Sequence, residues 1–394
     1  MQVSNRLNTI NGTGDDGWGL FNRSRKMIAD GVKITELTIG EHDIRTDASI
    51  LDAMHASAKG GHTGYATIPG TNALRDAVAA RIQSRTGVPT TRANIMITPG
   101  GQSALYATHL AALDHGDTAL FIDPHYATYP GTVRGVGGVP VAIAATPEND
   151  FQPQIAELAA AASDPRAKSL LINTPNNPTG VVYSRDTLDG IAQVCKDHDL
   201  WLISDEVYDT QVWDGDHLSP RALPDMAART MVVGSMSKSH AMTGSRVGWI
   251  CAPEDMTEHL INLATNTNYG VPGFIQDAAL FALNAGEALE TQVAAPFRRR
   301  RDLTLAALAG QNVVQIVPAQ GAMYVMLDIR ATGLSSWDFA NALLDQEHIA
   351  VMPGESFGAA ASGHIRVAMT IDDAAYVDAI NRLVNFAKSR ISEK

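Results

Sequence analysis

The chain of 394 residues is 45% hydrophobic and 18% charged, which excludes a disordered or fibrous protein and supplies a large core. A formal net charge of −12 argues against nucleic acid or an anionic membrane as a partner, and no apolar run approaches membrane-spanning length. The two cysteines, Cys195 and Cys251, carry no metal-ligand spacing, and the first residues show no basic-then-apolar leader, so a reduced, cytoplasmic protein without structural disulfide or metal is expected.

The opening "GTGDDG" (Gly12 to Gly17) matches the dinucleotide fingerprint in letters alone. No strand precedes it and polar residues surround it, so the phosphate-binding turn that gives the motif its meaning is not expected there. The first fifty residues lack periodicity. From about residue 94 to 250, short apolar runs alternate with amphipathic stretches: "NIMIT", "TALFI", "SLLIN", "LWLIS" and "TMVVG" are strands, while "QSALYATHLAAL", "QIAELAAAA" and "RDTLDGIAQVCKDH" are helices. Near-continuous apolar strands joined by helices predict a parallel sheet covered on both faces, with its ligand crevice beyond the carboxyl ends of the strands. After residue 270, "FRRRRDLTLAALAG" reads as a long helix, and "GAMYVMLDI" and "HIRVAMT" as strands of a smaller α+β unit.

Each strand of the large unit is followed by chemically loaded residues. In "TPGGQS", Gly100 and Gly101 make a tight turn and a helix starts near Gln102, offering free amides to a phosphate or simply joining strand to helix. "SLLINTPNNPTG" ends a strand on three asparagines and two prolines, which fix a loop rather than continue a sheet. In "LISDEVY", Asp205 either caps a helix or meets a buried cation. In "SMSKSHAMTGSR", Lys238 is either a solvated surface residue or an amine with lowered pKa that attacks carbonyls, with Ser235, Ser237 and Arg246 placed to hold an anion. Arg366, within an alternating strand, is either a surface position or a fork for a carboxylate. No metal-hydrolase or serine-hydrolase motif occurs.

Together these loops resemble the pyridoxal-phosphate-dependent aminotransferases of class I/II, the fold-type-I enzymes typified by aspartate aminotransferase. The likeness runs from "TIGEHD" near residue 40 to "HIRVAMT" near 370. It implies an α/β three-layer sandwich with a mostly parallel central sheet plus a smaller α+β domain. The expected divisions are an N-terminal segment (1–45) packed on the small domain, a large cofactor-binding domain (46–284) and a small C-terminal domain (285–394).

The resemblance also assigns roles. Lys238, in the S-x-S-K pattern, would be the Schiff-base lysine and proton shuttle. Asp205 would pair with the pyridinium nitrogen of pyridoxal 5'-phosphate, and Tyr208 and Asn177 would hydrogen-bond its phenolic oxygen. Gly101, Gln102, Ser235, Ser237 and Arg246 would hold the phosphate, and Tyr126 would stack on the ring. Arg366 would clamp the substrate carboxylate with help from Asn177 and the backbone at Gly40. Tyr65, in "GYATIPGTNALR", would reach the phosphate of a neighbouring subunit, implying a homodimer. Asn177–Pro178 and Asp123–Pro124 are expected to be cis. The implied reaction is ping-pong transfer of an amino group between an L-amino acid and a 2-oxo acid.

Two segments, "SKSHAMTGSRVGW" and "HDLWLISDEVYDTQVWDGDHLSP", look similar to the arginine–pyruvate branch. They suggest an arginine or other donor with pyruvate as acceptor. The same chemistry also runs β-elimination in lyases of this fold. Transcription regulators with an aminotransferase-like sensor carry an N-terminal winged helix, for which the chain leaves no room before its first motif. One departure stands out: "GEHD" has His42 where the family usually has proline, which leaves that segment less rigid near the substrate mouth.

Overall fold

The structure is a computed structural model that describes residues 1–12 and 18–392. All but the first residue of "GTGDDG" therefore lies outside the described residues. The strands, in chain order, are β1 Thr35–Glu36, β2 Ile95–Thr98, β3 Thr118–Asp123, β4 Val139–Ala144, β5 Ala167–Asn173, β6 Trp201–Asp205, β7 Thr230–Ser235 and β8 Gly248–Cys251, then β9 Gln315–Ile316, β10 Tyr324–Asp328, β11 Ile349–Ala350, β12 Met352–Pro353 and β13 His364–Ala368.

Strands β2 to β8 form a seven-stranded sheet in the order β2-β8-β7-β6-β5-β3-β4. The pairs β7-β6, β6-β5, β5-β3 and β3-β4 are parallel, whereas β8 runs antiparallel to both of its neighbours. Every residue of β2, β3, β7 and β8 is buried, which accounts for runs such as "IMIT" and "TALFID" that lack polar alternation. Two apolar clusters cover the faces: Leu120, Leu170 and Leu202 point into one, and Phe121, Leu171 and Ile203 into the other. The alternation of successive side chains between faces requires that division.

The strands β12-β13-β10-β9 form a separate antiparallel sheet. Its core includes Phe297 of the long helix Glu287–Leu308 and Tyr376 of the last helix, Asp373–Ser392. Leu20 and Leu37 from the beginning of the chain join this cluster, and β1 pairs in parallel with β11. No helix among the described residues is long and apolar enough to cross a membrane.

Among the described residues, three peptide bonds are cis, Asp123–Pro124, Thr174–Pro175 and Asn177–Pro178. The first and third were expected; the second was not.

Strand β8 carries a close approach to the Gly100 turn at the mouth of the crevice. A Cβ on Gly248 would lie 2.6 Å from the Gly234 carbonyl oxygen and 3.0 Å from the Gly100 carbonyl carbon, atoms of backbone that cannot swing aside. Gly248→Ala should therefore destabilise the protein by about 1–3 kcal/mol through overpacking and loosen the turn at Gly100. A thermal melt would detect it, and an unchanged midpoint would show that the turn yields freely.

Candidate active site

A cavity of about 480 Å³ opens at the carboxyl ends of the central strands. It is lined by Gly40, Gly101, Gln102, Tyr126, Asn177, Asp205, Tyr208, Ser235, Ser237, Lys238, Arg246 and Arg366. Every residue to which the resemblance gave a cofactor or substrate role thus lines it, with one exception. Tyr65 is 91% exposed and packs edge-on against Tyr269 with ring centroids 5.2 Å apart, away from this lining.

Asp205 ends β6 and is buried. Its Oδ2 accepts from the Tyr129 hydroxyl at 2.7 Å and its Oδ1 from the Val207 amide at 3.3 Å. Both partners are neutral. Burial therefore outweighs them and pushes the carboxyl pKa up to about 6, the state of an acid that lacks a cation.

Lys238 lies in the single helical turn Met236–Ser239 that follows β7. Its Nζ donates to the Gly40 carbonyl oxygen, and the packed surroundings lower its pKa by desolvation, with Arg366 and Arg246 adding to the effect. Lowering the pKa of an amine raises the fraction that is neutral and nucleophilic.

Arg366, on β13, is buried between two rings, with its guanidinium carbon 4.3 Å from the centroids of both Tyr324 and Phe357. One Nη donates to Asn177 Oδ1 at 2.9 Å and the other to the Thr38 carbonyl oxygen, while Nε has no partner. These contacts hold the charge without neutralising it, and an anion of two oxygens suits what remains. Because Asn177 Oδ1 accepts from Arg366, its Nδ2 faces the other way and is free to donate.

At the opposite end, the helix Gly101–Ala112 begins at Gly100 with no side-chain cap. Its first amides and its dipole form an anion seat. Gly100 adopts a φ of 79°, and a Cβ there would fall 2.5 Å from Arg246 Nη2, so glycine admits the guanidinium to the helix start. Ser235 and Ser237 complete this corner, with the Ser237 amide donating to Ser235 Oγ at 3.1 Å.

The asparagine-rich loop divides its labour in a way the sequence did not reveal. Asn173 Nδ2 donates to the Asp205 carbonyl at 2.9 Å and its Oδ1 accepts from the Asn177 amide at 2.7 Å. Asn176 Oδ1 accepts from both the amide and the hydroxyl of Thr179. Two of the three amides therefore build the loop, and the third, Asn177, presents its side chain to Arg366. Sequence reasoning also did not assign Tyr129 and Tyr324, which hold Asp205 and Arg366, and it quoted Asn173 in the asparagine-rich stretch without giving it the role of bracing the loop.

Pyridoxal phosphate fits this arrangement. A helix N-terminus with an arginine and two serines suits its phosphate, an acid lacking a cation suits its ring nitrogen, and an amine lies between them. The profile of the family "Aminotransferase class I and II" matches residues 32–383. The arginine–pyruvate transaminase AruH of Pseudomonas aeruginosa is 40% identical over 371 residues, 94% of each chain. An aspartate/prephenate aminotransferase of Thermus thermophilus is 34% identical, covering 88% of this chain and 89% of its own. Among solved structures, the aspartate aminotransferase from Thermus thermophilus with maleate superposes with a TM-score of 0.91 at 30% identity, covering 98% of this chain and all of the other. The chain belongs to the class I and II aminotransferases. It is a pyridoxal-phosphate-dependent enzyme that transfers an amino group between an amino acid and a 2-oxo acid.

The raised pKa of Asp205 has a consequence for the cofactor-free protein. Between about pH 4 and pH 6 the folded state keeps a proton that the unfolded carboxyl has released, so this group's contribution to stability falls as the pH rises through that window. Asp205→Asn should remove that part of the slope. Melting midpoints of the two cofactor-free proteins across the window would test it; parallel curves would refute the shift.

Proposed function

We propose that Lys238 is the lysine that carries the cofactor and moves the substrate proton, that Arg366 takes the α-carboxylate, and that arginine is the donor with pyruvate as acceptor. The observation that carries this reading is that one cavity gathers an amine with a lowered pKa, an acid lacking a cation and a guanidinium held only by neutral partners.

Arg366 orients the amino acid through its fork and Asn177, which presents the α-carbon to Lys238. When bound, pyridoxal phosphate supplies an electron sink for the charge left by loss of the α-proton. Asp205 keeps the ring nitrogen protonated, exchanging its own unfavourable burial for an ion pair. Tyr208, whose hydroxyl lies 3.3 Å from that of Tyr324, and the free Nδ2 of Asn177 donate to the phenolic oxygen. Tyr126 covers the ring face. Gly101, Gln102, Ser235, Ser237 and Arg246 hold the phosphate. Lys238 Nζ would take up the α-proton and return it as a general acid–base, a role within reach of a single side chain. The same steps in reverse serve the 2-oxo acid, which gives ping-pong kinetics.

Similarity to the arginine–pyruvate transaminase supports the choice of substrates. Among the described residues, the carboxylate that lines the cavity besides Asp205 is Glu41, with its side chain 53% exposed and an arginine of its own, Arg45, no nearer than 3.8 Å. We assign Glu41 to the donor's cationic side chain. The exposed Tyr65–Tyr269 pair supports a homodimer in which Tyr65 reaches the partner's phosphate, and the division at residues 45 and 284 is retained. A cytoplasmic location accords with two buried, unpaired cysteines. No feature of the site favours β-elimination.

Addition of arginine to the loaded enzyme should bleach the visible cofactor band, and pyruvate should restore it. Pyruvate release from a β-substituted amino acid without an acceptor would instead establish the lyase. Lys238→Ala should lower turnover by about 10²–10⁴-fold or more; retained turnover would overturn the assignment. Glu41→Gln should raise KM for arginine about tenfold and leave that for alanine unchanged, and equal effects on both would remove Glu41 from the pocket.

A further inference from the structure

Lys238 is held from two directions by one short segment. The Gly40 carbonyl oxygen accepts from its Nζ, and two residues later the His42 ring reaches its backbone, with Nε2 3.0 Å from the Lys238 carbonyl oxygen. A carbonyl can only accept, so the ring proton sits on Nε2 and the ring donates. His42 Nδ1 is then a bare lone pair, buried and without a partner. A buried orphan is unfavourable, and it is tolerated here in order to place a donor against the lysine. The ring is 3% exposed and packs edge-on against Phe297, with centroids 5.2 Å apart.

The segment is itself anchored. Asp43 forms a two-point ion pair with Arg300, at 2.6 and 2.9 Å, and Arg300 also donates to the Met369 carbonyl and pairs with Asp373. Phe297 and Arg300 both belong to the helix Glu287–Leu308. His42 therefore joins the lysine turn to a helix of the smaller unit. Where the family usually has a proline, which offers no such donor, this chain has a side chain that reaches the lysine turn. The segment is tied down by contacts rather than by ring rigidity.

We propose that His42 is a positioning residue for Lys238: its neutral ring fixes the backbone from which the amine is presented and keeps water from the space beside it. This rests on the reading of Lys238 as the cofactor-bearing lysine. The charged groups around the ring are Lys238 on the facing turn, Glu41 and Asp43 on its own segment, and Arg300 on the helix. Asp43 is committed to Arg300, and burial together with Lys238 pushes the imidazole pKa down to about 4, so the ring stays neutral through the working range.

The test compares the holoenzyme with His42→Ala, His42→Pro and His42→Gln. Three quantities are read: kcat and KM for the amino donor, the pH midpoint at which the bound cofactor's visible band changes, and the melting temperature. In the alanine and proline variants, kcat should fall about tenfold with KM within about twofold. Water admitted beside Lys238 should raise the spectral midpoint by about half a unit. His42→Gln, whose amide offers an N–H at similar reach, should recover both. A glutamine variant as impaired as alanine, or an alanine variant with unchanged kcat and midpoint and only a lower melting temperature, would overturn the proposal. Should alanine and proline fail to fold, His42→Met supplies bulk without a donor for the same comparison with glutamine. A wild-type protein without a visible band would refute the reading of Lys238 instead, and this inference with it.

Discussion

Three of the charged groups that line the cavity, Asp205, Lys238 and Arg366, are each held by neutral partners. Asp205 meets a phenol and an amide, Lys238 a carbonyl, and Arg366 an amide oxygen, a carbonyl and two aromatic faces. Burying a charge without a counter-charge is unfavourable, and the pKa values record it: the acid is pushed up, the amine down and the guanidinium down. An internal salt bridge between any two would relieve the strain and spend the chemistry. The site instead keeps its charges apart, so that a ligand carrying a cation at one end and anions at the others completes it.

Keeping them apart is a task of the fold. Parallel strands deliver Asp205 and Lys238 side by side at the ends of β6 and β7, while Arg366 comes from a strand of the other sheet. The antiparallel β8 brings Gly248 against the Gly100 turn, where no side chain would fit, and so fixes the anion seat relative to the lysine turn. The amides of Asn173 and Asn176 lock the loop that points Asn177 at Arg366. Rigid loops on a buried sheet achieve what flexible ones could not, because a misplaced donor in a low-dielectric cavity is worse than none.

Much of this was legible in the sequence. The apolar runs located β2, β3, β5, β6 and β7, since full burial removes polar alternation, and the residues after each run marked the crevice. The direction of β8 was not legible, because "GWIC" reads the same way up or down and only its pairing gives an orientation. Lys238, Asp205, Asn177 and Arg366 stood out through the resemblance of their motifs to a known family, since type and spacing alone left Lys238, Asp205 and Arg366 with an ordinary structural alternative. Tyr129 and Thr38 did not: the tyrosine is an ordinary residue of a short helix, and Thr38 acts through its carbonyl, which every residue owns. Contacts made by backbone atoms leave no trace in the alphabet. His42 was visible as an oddity, yet its meaning depended on a partner 196 positions away.

That dependence on distant partners bears on how the enzyme comes into being. Gly40 and Lys238 are separated by 198 positions, and Thr38 and Arg366 by 328. Chains emerge from the N-terminus and loops between distant segments close slowly. The large sheet can be complete while the opening segment still waits for β10, β11 and β13 to be made. Until then Lys238 lacks its Gly40 acceptor, and Arg366 with the strand that carries it is not yet made. A nascent chain is thus able to gather its cofactor-binding half before it can select a substrate, so a reactive aldehyde bound early would face solvent without the groups that discipline it.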